Sequence, residues 1–360
     1  MDTNQRIGVL LMSYGTPVSQ DDILPFYTDV RRGRPPTPEQ LTELSDRYAM
    51  IGGLSPLTER TLAQVKKITD RLEELYPEKY FVLYATKHSK PAIEEAVKGF
   101  ADEGITAFIG MVFAPHYSQL SIGEYMTKAQ EAASRHGIEC QFIKSFALDE
   151  ALIEFLSNQI LSQVLIHATD IRKAENDTSA SKKPSRMVVL ITAHSLPATV
   201  ISMGDPYPEQ LRSTAEKIAR QIGLGSEYEF IPLFEMADRM TNNVTALRKG
   251  FYAYTEESDI EIGWQIAWQS AGRTSQTWLG PDILEVLSDM GERGIRNIII
   301  CPAGFMSDHL EVLYDIDIAA QDLAGKISVS LSRTRSVNDD ISVMNSLAQL
   351  IHDTSLTEKE

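Results

Sequence analysis

Short apolar runs alternate with longer amphipathic segments along most of the chain. The runs are rich in Val, Ile and Leu, which is typical of parallel strands that are buried on both faces. The segments between them repeat apolar residues at the spacing of one helix face. The pattern predicts an α/β protein with doubly wound, Rossmann-like parallel sheets. The clearest predicted strands are Ile7–Met12, Phe81–Ala85, Phe108–Phe113, Met187–Ala193 and Ile298–Cys301, and the clearest helices are Thr58–Leu75, Ala92–Ala101, Gln210–Gln221 and Ile283–Met290.

A polar stretch rich in Asp, Asn, Ser, Thr and Lys divides the chain near its middle. It predicts a linker at 167–186 between an N-terminal domain at 1–166 and a C-terminal domain at 187–335, with a C-terminal helix and tail at 336–360. The first strand of each half ends in a bulky polar residue followed three positions later by Pro, at Tyr14 and at His194. We interpret the halves as two copies of one βαβ-rich domain, with Tyr14 and His194 at equivalent strand ends.

The composition narrows the possible function classes. With 34 Lys and Arg against 50 Asp and Glu, the formal net charge is −16, which argues against a nucleic-acid partner. Cys140 and Cys301 are too few to hold an iron–sulfur cluster, and their scarcity is typical of a reducing compartment. No secretion signal is recognisable, and no apolar run reaches the roughly 20 residues of a spanning helix. We expect a cytoplasmic monomer with no transmembrane segment and no tightly bound cofactor.

Candidate chemistry gathers at the carboxyl ends of predicted strands, where open α/β sheets bind ligands. His194 closes an apolar strand and can accept a proton or bind a metal ion at neutral pH; the alternative is a hydrogen-bonded structural histidine. Arg31, Arg32 and Arg34 form the densest basic cluster of an acidic chain. This cluster is either a solvated loop or a clamp for carboxylates.

Four acidic residues after the last predicted strand recur at the spacing of one narrow helix stripe. They are Asp308, Glu311, Asp315 and Asp322. Like charges in this arrangement repel one another. The stripe is therefore either a solvated acidic face or a path for cations or protons, with Glu311 at its inner end.

Taken together, these segments resemble the ferrochelatases, the enzymes that insert ferrous iron into a porphyrin. The matching motifs follow the family order between Ile7 and Asp317. The resemblance implies two similar α/β domains that face a central porphyrin cleft, with Fe²⁺ as a substrate. The matching motifs are Tyr14–Pro17, Tyr48–Pro56, Lys87-His88, Ala114–His116, Ala193–Pro197, Gly204–Pro208, Trp278–Asp282 and Asp308–Asp315.

The resemblance also implies roles for individual residues. His194 and Glu311 would be the catalytic, proton-handling residues and would bind the metal. Tyr14 looks like the axial oxygen ligand of the product iron in the coproporphyrin-using branch of Gram-positive bacteria. Asp308 and Asp315 would belong to an outer acidic ridge. The implied substrate-binding residues, on a lip at about 18–55 and at nearby strand ends, are Tyr14, Arg31, Arg47, Tyr48, Ser55, Lys87, His88 and Tyr125.

Two features depart from the family pattern. Ala319 stands where related chains carry a second ridge carboxylate, which puts an outer cation site in question. An inserted segment at about 229–263 is absent from the compact bacterial form. Its apolar residues predict an added helix that packs on the core, binds a partner or lines the cleft. Those apolar residues are Leu233, Met236, Met240, Val244, Leu247 and Phe251.

The expected function is insertion of Fe²⁺ into coproporphyrin III, giving iron coproporphyrin III in haem biosynthesis. The arginine-rich lip favours this porphyrin because it has four propionates, whereas protoporphyrin IX has two. The expected partners are the porphyrin, Fe²⁺ and other haem-pathway enzymes. Alternatives are a protoporphyrin IX ferrochelatase, a cobalt or sirohydrochlorin chelatase, and a non-enzymatic haem carrier. A nucleotide oxidoreductase is disfavoured, because no Gly-x-Gly-x-x-Gly follows the first strand.

Overall fold

The chain forms two compact units. The computed structural model describes residues 6–176, 184–241, 259–272 and 274–356. The first unit contains Met1–Phe146, Met306–Tyr314 and Asn338–Glu360, and the second contains Ala147–Phe305 and Asp315–Val337. The chain therefore leaves the second unit twice to contribute short segments to the first.

A four-stranded parallel sheet forms the centre of the first unit in its described part, with the strand order β2-β1-β3-β4. β1 is Ile7–Ser13, β2 is Tyr80–Thr86, β3 is Ala107–Val112 and β4 is Glu139–Ile143. All residues of β1 after Ile7 are buried, as expected for a central parallel strand covered by helices. The helices of this unit are Ile23–Val30, Pro38–Met50, Leu57–Leu75, Ile93–Asp102, Ile122–His136 and Ile341–Leu356.

The described part of the second unit has a five-stranded sheet in the order β6-β7-β5-β8-β9. The strands are β5 Ser185–His194, β6 Ile231–Pro232, β7 Ile260–Gln269, β8 Asn297–Cys301 and β9 Ser330–Arg333. Only β6 is antiparallel among the strands described here. The helices are Glu150–Asn176, Thr199–Ser202, Tyr207–Ile222, Leu233–Arg239, Ile283–Glu292 and Gln321–Lys326. The π-helix Val312–Ala320 begins in the returning segment of the first unit, and this unit contains it from Asp315 onwards.

The two sheets have the same topology apart from β6. In each sheet the parallel strands lie in the order second, first, third, fourth along the chain. The prediction of two similar α/β domains is confirmed. Tyr14 directly follows β1 and His194 ends β5, so both lie at the carboxyl end of the first strand of their sheet. In both sheets this strand borders the switch point of the topology, where such folds bind ligands.

The structure differs from the predicted linker at 167–186. The helix Glu150–Asn176 covers the whole first half of this predicted linker, because buried apolar residues recur at helical spacing as far as Ile171. His167 is 4% exposed, and its Nε2 lies 2.9 Å from Ser332 Oγ. β5 then begins at Ser185, and residues 177–183 of the predicted linker lie outside the described residues.

The division into units also differs from the predicted domain boundaries. The first unit ends at Phe146 rather than at residue 166, since the helix that follows belongs to the second unit. Met306–Tyr314, which carries Glu311, and the helix Ile341–Leu356 both belong to the first unit. A boundary read along the chain does not reveal these returning segments.

The inserted segment is described in part. A helix forms at Leu233–Arg239. Leu233 and Met236 in this helix and Met240 directly after it are buried, so this part packs on the core of the second unit. The predicted end of the insert falls inside β7, which begins at Ile260. The other apolar positions used to predict the helix, Val244, Leu247 and Phe251, lie outside the described residues.

Candidate active site

Tyr14 is held at the end of β1 by a turn that requires glycine. The strand pairing continues past β2, because the His88 N–H donates to the Tyr14 carbonyl over 3.0 Å. Gly15 follows with a φ of +89°, and a Cβ on it would lie 2.3 Å from Ser89 Oγ. No L-residue with a side chain fits here without displacing Ser89. The sequence thus fixes where the Tyr14 side chain leaves the sheet.

The environment of the Tyr14 hydroxyl keeps it protonated. The ring packs edge-on against His88, with ring centroids 4.6 Å apart, and against Phe26 at 6.2 Å. The residue is 42% exposed, yet desolvation of the hydroxyl raises its pKa well above the ordinary value, and the charge of Glu311 raises this pKa further. Tyr14 is therefore a neutral phenol that solvent and ligands can reach.

Tyr48 lies near Tyr14 and Glu311 but, unlike Tyr14, is buried. It is 2% exposed, and its hydroxyl lies 3.4 Å from Thr16 Oγ1. Burial raises the pKa of Tyr48 to about 12, a change that Glu311 adds to. Ser55, 9% exposed, accepts a hydrogen bond from the Leu57 N–H at the start of the next helix. Tyr48 thus lies within electrostatic range of Glu311, while the Ser55 hydroxyl bonds to the backbone at the start of the helix Leu57–Leu75.

The arginines of the predicted lip have different environments. Arg31 lies over the Tyr27 ring at 5.6 Å, and its Nε donates to the Arg34 carbonyl over 3.2 Å. Arg47 lies over the Tyr314 ring at 4.8 Å, and its Nη2 is 2.9 Å from Glu43 Oε1. The Arg47 Nε is buried and has no hydrogen-bond partner within the described residues. A buried donor of this kind is costly unless a ligand or water accepts from it.

Lys87 and Glu124 form an ion pair at the end of β2. Lys87 Nζ lies 2.6 Å from Glu124 Oε2 and 5.0 Å from the centre of the Tyr125 ring. The Lys87 side chain is 9% exposed, and burial raises the pKa of Tyr125 well above its ordinary value. The second oxygen of Glu124 lies 3.1 Å from Arg32 Nη2. Glu124 thus neutralises one buried and one exposed cation.

His88 is paired with a carboxylate of the lip. Its Nδ1 lies 2.6 Å from Asp29 Oδ2, and the His88 side chain is 10% exposed. Desolvation lowers the pKa of His88, and the hydrogen bond to the Asp29 carboxylate opposes this change. Because its ring also packs on Tyr14, His88 supports the position of the Tyr14 side chain.

Glu311 lies on the segment that returns to the first unit. Its Oε2 is 3.6 Å from His309 Nε2. His309 Nδ1 lies 2.9 Å from the Ser307 carbonyl; since a carbonyl only accepts, Nδ1 carries a proton and the neutral ring keeps its lone pair on Nε2, toward Glu311. His309 Nε2 therefore faces the Glu311 carboxylate, at a distance longer than a hydrogen bond.

The predicted acidic stripe is wrong in its geometry. Asp308 precedes the helix, which begins at Leu310, and Asp308 bonds to Asn338 instead. From Val312 to Ala320 the helix is a π-helix, whose i→i+5 bonding changes which residues share a face. Asp315 accepts a hydrogen bond from Ser270 Oγ in the second unit. A spacing counted at 3.6 residues per turn does not hold here.

His194 is oriented by its own backbone in the second unit. Its Nδ1 donates to the Ser195 carbonyl, which leaves the lone pair of the neutral ring on Nε2. The Tyr207 hydroxyl donates to the His194 carbonyl over 2.8 Å, and the Ser195 hydroxyl donates to the Leu279 carbonyl over 2.8 Å. Behind the strand end, Gly304 leaves no room for a side chain, because its Cβ would lie 2.5 Å from Ala193 Cβ. Nε2 is thus presented as a base or a metal ligand on a rigid support.

Sequence reasoning missed two side chains near the predicted site residues. Glu124 was overlooked although its neighbours in space, Lys87 and Tyr125, were both selected; an acidic residue in the first turn of a helix after a strand end was the available signal. His309 stands between Asp308 and Glu311 in the sequence, and only the structure shows which ring nitrogen faces Glu311.

No group of three or more His, Cys, Asp or Glu side chains within the described residues is arranged to hold a metal ion. No helix in the described part of the chain is long and apolar enough to cross a membrane.

Comparisons with known proteins place the chain in a family. One structural match is the sirohydrochlorin chelatase SirB from Bacillus subtilis subspecies spizizenii in complex with cobalt. It has a TM-score of 0.49 and 11% identity, and it covers 98% of this chain and 97% of that one. This match is too weak to bear on the family assignment. Coproporphyrin III ferrochelatase 1 of Bacillus anthracis is 34% identical over 350 residues, which are 96% of this chain and 97% of the relative. The coproporphyrin III ferrochelatase of Geobacillus kaustophilus (strain HTA426) is 35% identical over 347 residues, 96% of this chain and 94% of the relative. The family model for ferrochelatase matches residues 6–355, and this chain therefore belongs to the ferrochelatase family.

Proposed function

We propose that this protein inserts Fe²⁺ into coproporphyrin III and releases iron coproporphyrin III. The observation that carries the proposal is the identity of 34–35% over 96% of the chain to relatives named coproporphyrin III ferrochelatase. Iron and the porphyrin are both substrates in this reaction. The reaction replaces two pyrrole N–H protons with one Fe²⁺, so it releases two protons for each iron inserted.

The cations of the first unit support a porphyrin with four propionates. Arg31 and Arg34 sit together in the turn after the helix Ile23–Val30, and guanidinium groups bind carboxylates through paired hydrogen bonds. The buried Nε of Arg47 has no partner among the described residues, so a propionate that accepts from it would satisfy a costly donor. These donors exceed what the two propionates of protoporphyrin IX require. Tyr48, Ser55, Lys87, His88 and Tyr125 are proposed as further contacts of the macrocycle.

We assign proton removal to His194 and Glu311. The pyrrole protons must leave before the ring nitrogens can bind iron. His194 Nε2 carries the lone pair that accepts the first proton, because Nδ1 is committed to the Ser195 carbonyl. Glu311, with His309 Nε2 at 3.6 Å, takes the second and passes it on. As Fe²⁺ loses its waters, imidazole and carboxylate are suitable replacement ligands.

Tyr14 is proposed to bind the product rather than to remove protons. Its raised pKa keeps it neutral at physiological pH, so it is a poor base. A cation lowers the pKa of a group that binds it, and the phenolic oxygen becomes a better ligand once iron is in the ring. Asp315 and Asp308 remain proposed only as part of the acidic surroundings through which iron approaches.

We place this reaction in the cytoplasm, in a monomer that passes its product to another haem-pathway enzyme. Cys140 and Cys301 are both free thiols, as is usual in a reducing compartment. Iron coproporphyrin III still carries four propionates, whereas haem carries two propionates and two vinyls. The consuming enzyme is therefore an oxidative decarboxylase.

The experiment is a substrate panel followed by the shift of the Soret band under anaerobic conditions. Purified protein is mixed with Fe²⁺ and either coproporphyrin III or protoporphyrin IX. We expect kcat/KM to be at least about tenfold higher for coproporphyrin III, since one charged hydrogen bond contributes about 1.5–3 kcal/mol. Faster turnover of protoporphyrin IX would overturn the choice of substrate. Binding of iron coproporphyrin III without any acceleration of its formation would instead identify a haem carrier.

A further inference from the structure

Asn338 holds the turn that leads to Glu311. It is the first residue of the segment in which the chain returns to the first unit for the last time, and Met306 is the first residue of the previous return. The Asn338 N–H donates to the Met306 carbonyl over 2.7 Å. The two returning segments are therefore joined to each other at their first residues.

The side chain of Asn338 makes a reciprocal pair with Asp308. The Asp308 N–H donates to Asn338 Oδ1 over 3.0 Å, and Asn338 Nδ2 donates to Asp308 Oδ2 over 2.9 Å. Asn338 is 8% exposed, so these bonds are sheltered from water. Its φ of +48° lies in the left-handed region, which Asn tolerates better than most residues with a side chain.

A buried glutamine completes the arrangement. Gln64, on the helix Leu57–Leu75, is fully buried, and its Nε2 donates to the Asn338 carbonyl over 2.8 Å. The same Nε2 lies 3.4 Å from the Met306 carbonyl. Each polar group of Asn338, in its backbone and its side chain, thus has a partner in the turn or on the long helix of the first unit. We call Asn338, Asp308 and Gln64 the Asn338 clamp.

We propose that Asn338 is a positioning residue for Glu311, a role that rests on the proposed function of that carboxylate. The helix that carries Glu311 begins two residues after Asp308, and the clamp fixes the backbone at that point. In this role the Asp308 carboxylate acts as a hydrogen-bond acceptor within the clamp. Misplacing a reacting group by about 1 Å can lower a rate by about 100-fold.

The test exchanges the two side chains of the reciprocal pair. Asn338→Asp sets two carboxylates against each other, and Asn338→Gly removes the side-chain bonds but tolerates the positive φ. The double variant Asp308→Asn/Asn338→Asp restores both hydrogen bonds in swapped form. We expect each single variant to lose about 10- to 100-fold in kcat, with KM for coproporphyrin III within about twofold of wild type. We expect the kcat of the double variant to be at least about tenfold higher than that of Asn338→Asp.

Several outcomes would overturn the proposal. One is a wild-type kcat in Asn338→Asp, and another is no recovery in a double variant that melts and binds porphyrin like wild type. The second result would mean that the charge of Asp308 is needed. Amide hydrogen exchange at Asp308 provides a readout that does not depend on activity: fast exchange in Asn338→Gly and slow exchange in wild type supports the clamp, and equal rates refute it. A wild-type enzyme that inserts no iron would refute the proposed function alone.

Discussion

Replacing Glu124 with Gln should lower the free energy of unfolding of the first unit. The same change should lower the Kd for an anionic porphyrin. Glu124 is shared between Lys87 Nζ at 2.6 Å and Arg32 Nη2 at 3.1 Å. The Lys87 side chain is 9% exposed and that of Arg32 is 83% exposed. Gln keeps the shape of the side chain but removes its charge, so the buried cation loses its counter-ion and the exposed one is released.

The two effects differ in size because the two cations differ in exposure. Removing one partner of a fully buried ion pair costs about 3–5 kcal/mol of unfolding free energy. The Glu124 side chain is 36% exposed, and screening by solvent reduces the expected loss to about 1–2 kcal/mol. An exposed pair such as that with Arg32 contributes about 0.2–1 kcal/mol. If a propionate takes the place of Glu124, the Kd for coproporphyrin III should fall by about 1.4- to 5-fold.

Urea unfolding and a fluorescence-quenching titration with coproporphyrin III measure the two effects. Glu103→Gln is the matched control, because Glu103 pairs with Arg6 at 3.2 Å on the surface of the same unit. In Glu103→Gln, neither the free energy of unfolding nor the free energy of porphyrin binding should change by more than the contribution of one exposed ion pair. If Glu124→Gln is as stable as the control and binds the porphyrin no more tightly than wild type, Glu124 does not compete with propionates and the reasoning fails.

Three further outcomes follow from other parts of the structure. His194→Ala should lower kcat by at least about 100-fold while the porphyrin still quenches the protein fluorescence; a variant with substantial turnover would make His194 structural. Burial lowers the pKa of His116 to about 3, so its contribution to the free energy of unfolding is complete above about pH 6.5. That contribution is lost by about 1.4 kcal/mol per pH unit as the pH falls toward 3. Urea unfolding at a series of pH values should show this slope in wild type and a shallower one in His116→Gln. Gly15→Ala should lower the free energy of unfolding by about 1–3 kcal/mol more than Gly104→Ala does. Both glycines have a positive φ, but only at Gly15 would a Cβ lie 2.3 Å from Ser89 Oγ. Equal losses of stability in thermal melts would argue against the clash.

The strands that sequence reasoning identified best are those with uninterrupted apolar residues. β1 and β5 were found within two residues of their observed ends, because both are buried along nearly their whole length. β7 was missed although it is a central strand of its sheet. It contains Gln265 and Gln269, and Gln269 is fully buried, with its Oε1 accepting from the Thr192 hydroxyl over 2.9 Å. A polar residue is predictable in a core only when its partner on another strand is known.

The part of the site around Glu311 was the least predictable. Its residues were selected from one continuous motif, yet the turn is held by Asn338 and Gln64, which are far away in the sequence. Local spacing also predicts an ordinary helix from Asp308, whereas the observed helix begins later and widens into a π-helix. Long-range polar pairs and irregular helices leave no periodic signal in the sequence.

The equivalent strand ends of the two units carry different side chains, and the hydrogen positions on these side chains suit the different roles proposed for them. Tyr14 has a raised pKa and holds its proton, so it cannot take one from a pyrrole. His194 keeps a lone pair on Nε2 because its backbone fixes Nδ1 as the donor. The two sheets thus place these side chains at the same point of one strand order, and we propose that His194 accepts a proton before iron enters the ring and that Tyr14 binds the iron afterwards. On this proposal, exchanging the two side chains leaves neither position with the group that its step requires, so the exchanged variant should insert no iron in the Soret-band assay.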